Sequence, residues 1–142
     1  MNWISIAILG FVILEATNVI ALYFFPGSKL ANSVGVFKAW EYSKSDPGMH
    51  NFVKYLVNWV AGTKLIFILL LVVILRTGSE QTLRFTSATL VISIASFFWR
   101  LFPLARKMDR DDQITPKNYS KVLGWMILAF ILVFLAATIL SS

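Results

Sequence analysis

Four long apolar runs constrain this chain more than any other feature. They cover residues 3–25, 52–75, 83–103 and 122–140. A helix needs about 20 apolar residues to cross a hydrocarbon core of about 30 Å, and each run meets that length. Inside lipid such a run must be helical, because a helix satisfies its own backbone N–H and C=O groups where no water can. The predicted fold is all-α: an integral membrane four-helix bundle forming a single domain over residues 1–142. Composition agrees. The chain is 58% hydrophobic and 14% charged, whereas soluble domains are roughly 45–50% apolar and about 25% charged. The first run has no basic segment before it and is interrupted by Glu15, so it is expected to be a span and not a cleaved signal peptide.

Local signals place the helix ends. Phe25-Pro26-Gly27-Ser28 stops the first helix. Asp46-Pro47 has the pattern of an N-cap followed by proline at the first helical position, and Thr115-Pro116 repeats it before the fourth helix. Thr77-Gly78-Ser79 forms the turn between the second and third spans.

Basic residues set the expected topology. Loops 26–51 and 104–121 hold Lys29, Lys38, Lys44, Arg106, Lys107, Arg110, Lys117 and Lys121, while the opposite side holds Arg76 and Arg84. The positive-inside rule puts both long loops in the cytoplasm and both termini outside. A bacterial plasma membrane is the expected setting. The net charge of +6 is thereby accounted for by membrane topology, and no nucleic acid is expected as a partner.

Residues 28–45 read as a short amphipathic interfacial helix between the first and second spans. Leu30, Val34, Phe37 and Glu41 recur at helical spacing. Phe37 and Trp40 are the expected anchors at the headgroup boundary. A gate or a partner-docking element is the alternative. Gly35 weakens the case for a regular helix.

Polar residues within the spans are the candidate site. Ionisable groups at mid-bilayer cost about 2.5–3.5 kcal/mol on insertion scales, so they usually face protein and have a partner. Glu15 lies ten residues before Phe25 and Lys64 twelve residues after Phe52. At about 1.5 Å per residue both fall about 15–18 Å from the same boundary. Consecutive antiparallel helices are usually neighbours, so a buried Glu15–Lys64 ion pair is expected. It either pins helix register or handles a proton or ion.

The third span carries Thr82, Thr86, Thr89, Ser93, Ser96 and Arg100 at spacings of 4, 3, 4, 3 and 4, one stripe of a helix. With Asn18 and Asn58 the residues Thr86, Thr89, Ser93 and Ser96 are expected to line a polar interior. That stripe serves either as a hydrogen-bonded packing seam or as a hydrophilic path ending at Arg100. Arg100 and Lys54, at the cytoplasmic helix ends, are expected to meet an anion or a lipid headgroup. The fourth span, nearly free of polar groups, is expected to close the bundle or face lipid.

The sequence also excludes chemistry. It has no cysteine and one histidine, His50, too few for a structural zinc site or a bis-ligated haem within one chain. Asp109, Asp111 and Asp112 lack the glycine and closing glutamate of an EF-hand loop. There is no phosphate-binding glycine loop, no Ser/His/Asp set and no HExxH. No metal or cofactor is expected, and enzymatic chemistry is the least supported class. Three functions remain: a small transporter or channel component, a non-catalytic accessory or scaffold subunit, and a protein that binds lipid headgroups. Membrane lipids are the expected partners, together with further copies of the chain or a larger membrane complex.

Overall fold

The computed structural model describes residues 2–141. Its elements are α1 (Trp3–Phe24), a 3-10 turn (Val34–Val36), α2 (Lys38–Ser43), α3 (Pro47–Thr77), α4 (Glu80–Ala95), α5 (Phe97–Arg110) and α6 (Tyr119–Leu140). Among the described residues, four helical stretches are long and apolar enough to cross a membrane: α1, α3, α6, and α4 with α5 counted as one stretch over Glu80–Arg110.

Side chains at the helix starts explain where the helices begin. Asn2 Oδ1 accepts from the Ser5 backbone N–H at 2.9 Å, Asp46 Oδ1 from Gly48 and Met49 at 2.9 and 3.2 Å, and Ser79 Oγ from Thr82 at 3.2 Å. Each satisfies N–H groups that the first turn of a helix leaves unpaired. The last long helix begins differently from the Thr115-Pro116 expectation. Asn118, with φ of 66°, precedes Tyr119, and the cap comes from a distant side chain. The buried Asp109 accepts from Asn118 N–H at 2.8 Å, Ser120 N–H at 3.0 Å and Ser120 Oγ–H at 2.6 Å. The third helical stretch is longer than the apolar run because α5 carries the helix through Arg106 and Lys107 to Arg110, with a break at Ser96 separating it from α4.

Packing follows the sequence order only in part. α1 lies along α3 and α6, and α4 lies along α6. α3 and α4, although joined by a short turn, splay apart and leave a groove of about 370 Å³ between them. α6, expected to close the bundle or face lipid, packs on α1, α4 and α5. Small groups make this possible. Ser87 of α4 is fully buried and its hydroxyl lies 3.0 Å from Thr138 Oγ1 and 3.4 Å from the Phe134 carbonyl of α6. Gly124 of α6 lets the Phe102 ring approach so closely that an added Cβ would meet it at 2.7 Å.

The core is apolar. Ile4, Ile8, Phe11, Leu71, Leu90 and Phe134 are among its buried members, and the Phe11 ring meets Phe130 and Phe134 edge-on at 5.2 and 5.6 Å. The two long loops sit together at one end. Lys38 N–H donates to the Gln113 carbonyl at 2.9 Å and Thr115 N–H to the Val36 carbonyl at 2.8 Å, making a single antiparallel bridge, Phe37 to Ile114.

Segment 28–45 is not one amphipathic helix. Ala31 and Asn32 take left-handed backbone angles, φ 52° and 54°, so a helix cannot run through them. The chain folds back on itself, and an added Cβ at Gly35 would lie 2.0 Å from the Gly27 carbonyl oxygen. Only the six residues of α2 are α-helical. Trp40 is buried against Leu22, Val57 and Ala61 and is not an outward anchor. Phe37 is half-buried in the bridge to Ile114. Trp40 fills the gap between the loop and α3, and Phe37 pairs with Ile114 of the second long loop.

Candidate functional site

The site forms where α1, α3 and the first loop meet. Lys64 Nζ donates to Glu15 Oε2 at 2.7 Å and to Asn18 Oδ1 at 2.6 Å. Asn18 is one turn beyond Glu15 on α1, so a single lysine reaches both. The other end of the Asn18 amide faces the loop: Nδ2 donates to the Ala31 and Asn32 carbonyls at 2.6 and 3.0 Å. The left-handed turn at those two residues is what aims their carbonyls at α1. Asn18 is thus the hinge pin of the site, tying α1, α3 and the loop into one network.

Burial of the cluster is uneven. Asn18 is buried, whereas the Glu15 and Lys64 side chains keep 20% and 30% of their accessible surface. The expected ion pair is present in the geometry, but at the flank of the bundle and not in a sealed interior. Glu15 Oε1 has no hydrogen-bond partner among the described residues.

A cavity of about 380 Å³ borders the cluster on the α6 side, with Glu15, Asn18, Asn32, Tyr119, Leu123 and Phe130 in its wall. Tyr119 Oη donates to Asn32 Oδ1 at 3.3 Å at the loop end of this cavity. Its volume falls in the range of small-ligand sites, about 300–1,000 Å³. The wall combines a carboxylate, two amides and two hydroxyl residues, Thr17 and Tyr119, with aliphatic and aromatic surface.

The remaining polar residues do not join the cluster. Asn58 is exposed on α3. Thr89, Ser93 and Ser96 are exposed and Thr86 is half-buried, so the hydroxyl stripe does not line the interior. Thr86, Thr89 and Ser93 instead border the open groove between α3 and α4. Thr86 and Ser96 return their hydroxyl protons to their own helix, to the Thr82 carbonyl at 2.8 Å and the Ser93 carbonyl at 2.6 Å. The physical reason is that α4 buries its Leu83, Ser87, Leu90 face, which turns the stripe outward. Lys54 and Arg100 are both exposed, on helices that share no packed seam. Arg100 lies 5.5 Å from the Trp99 ring.

Three contributors are not apparent from the sequence. Ala31 and Asn32 act through backbone carbonyls, which side-chain patterns do not reveal. Tyr119 enters from a helix that carries no polar stripe. Ser87 could have been found, since it shares the spacing of Leu83 and Leu90.

Comparison with protein-family models, characterised proteins and solved structures finds no match to this chain.

Proposed function

We propose that this chain is an integral membrane protein in which Glu15, Lys64 and Asn18 handle a small ion or solute, as a small transporter or channel component. Support for insertion comes from the outward surface. Ile92, Ile66, Trp59 and Leu132 are 73%, 64%, 63% and 56% exposed, and they belong to an apolar surface that runs around the helices. Soluble monomers rarely leave patches beyond a few hundred Å² uncovered, and lipid is the solvent that suits such a surface. Both basic loops lie at one end, so the positive-inside rule orients the whole bundle, with that end cytoplasmic and the termini outside.

The observation that carries the functional reading is the Glu15 carboxylate, half engaged by Lys64, at the wall of the α1–α6 cavity. A proton or small cation entering from the loop end competes with Lys64 for Glu15. Asn18 Oδ1 gives the lysine a second acceptor, so Glu15 can exchange its partner without leaving the ammonium bare.

The test uses the full chain in proteoliposomes loaded with a pH-sensitive dye, with a potassium diffusion potential set by valinomycin. Wild-type vesicles are expected to acidify several-fold faster than protein-free vesicles, and Glu15→Gln vesicles to match the protein-free rate. Equal rates for all three would remove the proton reading.

A second reading, a non-catalytic accessory subunit, draws on a separate observation. The outward hydroxyl stripe of α4 suits a seam with another membrane helix, because small hydroxyl residues permit close approach. That helix would belong to a second copy of the chain or to a larger membrane complex.

A further inference from the structure

A trough between α5 and α6 joins an apolar half to a cationic half. The apolar half has a volume of about 370 Å³ and is walled by Phe98, Phe102, Gly124, Trp125 and Leu128, with Arg106 and Lys121 at its rim. The same two cations line a smaller adjoining pocket of about 90 Å³, together with Arg110, Lys117 and Asp109. Phe102 helps form the apolar wall, and the Arg106 guanidinium lies 5.9 Å from its ring.

The charge in the trough is not neutralised from within. Asp109 is the one carboxylate in the lining, and both its oxygens are engaged by Asn118 and Ser120 at the start of α6. Lys117 is 3.9 Å from Asp112. Arg106, Arg110 and Lys121 make no ion pair among the described residues. The trough is complementary to an occupant with a negative group beside Arg106 and Lys121 and a hydrocarbon portion along Trp125 and Leu128. Trp125 is 70% exposed, so the apolar half opens sideways, toward acyl chains.

We infer that the α5–α6 trough is a binding site for an anionic phospholipid, with its phosphate between Arg106 and Lys121 and an acyl chain against Phe98, Trp125 and Leu128. The inference rests on membrane insertion but not on ion handling at Glu15. Its cations are distinct from Arg100 and Lys54, where a headgroup contact was expected. Arginine and lysine both suit phosphate oxygens, and each cation near an anionic surface contributes about fivefold in affinity.

The probe is phosphatidylglycerol, offered in equal amount with phosphatidylcholine to the full chain in mild detergent, and retained lipid is read by native mass spectrometry. Wild type is expected to retain phosphatidylglycerol about tenfold over phosphatidylcholine. The Arg106→Gln/Lys121→Gln double variant is expected to lose that preference, while Lys54→Gln and Glu15→Gln keep it. Millimolar inorganic phosphate is expected not to displace the lipid, because it offers nothing to the apolar half. Circular dichroism and thermal unfolding of the double variant establish that it is folded. Equal retention of both lipids by wild type would overturn the site, as would a folded double variant that keeps the preference. Loss in Lys54→Gln equal to that in the double variant would reduce the effect to general surface charge and overturn it too.

Discussion

Asn18 is the residue on which the cluster turns. It accepts from Lys64 and donates to two loop carbonyls, whereas Glu15 offers one oxygen to one donor. Removing Lys64 strands both a carboxylate and an amide oxygen, and removing Glu15 leaves the lysine still bonded to Asn18. Unsatisfied charged groups cost more than the bond they lose. Lys64→Met is therefore expected to destabilise by about 3 kcal/mol and Glu15→Gln by about 1 kcal/mol. Their double mutant should show a coupling of about 1 kcal/mol in reversible unfolding from detergent micelles. Additive single effects would show that the contact contributes nothing. The pairing of Glu15 with Lys64 was legible in the sequence because it depended on depth, which follows from counting residues at a fixed rise, and on α1 and α3 packing as consecutive antiparallel helices. The role of Asn18 as a three-way junction was not, since its loop partners are backbone carbonyls whose direction is set by two left-handed residues.

At the level of elements, the long helices were legible and the short ones were not. Apolar length and capping side chains specify α1 and α3 through local rules, whereas α6 has the apolar length but takes its cap from Asp109 of α5. Segment 28–45 obeys no local rule strongly: its helical periodicity competes with burial of Trp40 and with the bridge to residues 113–115, and those tertiary contacts win. The orientation of α4 shows the same limit. Its stripe of Thr and Ser is a regular pattern, but regularity does not tell whether the stripe turns inward or outward. The Leu83, Ser87, Leu90 face packs against the rest of the bundle instead. Trp40 offers the sharpest contrast with its exposed counterpart. Trp40→Ala is expected to cost about 3–5 kcal/mol by leaving a cavity between the loop and α3. Trp99→Ala, at a side chain 76% exposed, should cost less than about 0.5 kcal/mol. Thermal unfolding of the two variants in the same detergent checks this; equal losses would place Trp40 outside the packed loop.

For the whole molecule, the arrangement of helices follows from which faces can be buried together, and not from chain order alone. The turn at Gly78 and Ser79 makes α3 and α4 sequential neighbours, yet α4 finds its seam with α6. What chain order does dictate is the end at which each loop emerges. Both basic loops meet in the bridge between Phe37 and Ile114, and the turn at Ser79 belongs to the opposite end of α3. Membrane insertion, the ion-handling reading and the lipid trough all depend on that polarity. The chain contains no cysteine, so single introduced thiols report position without background. Ser45→Cys, Ser79→Cys and Asp112→Cys, each treated with a membrane-impermeant maleimide in intact cells and in inverted vesicles, give the decisive measurement. Ser45→Cys and Asp112→Cys are expected to react only in inverted vesicles and Ser79→Cys only in intact cells. Labelling of all three from the same side would contradict a bundle that spans the membrane.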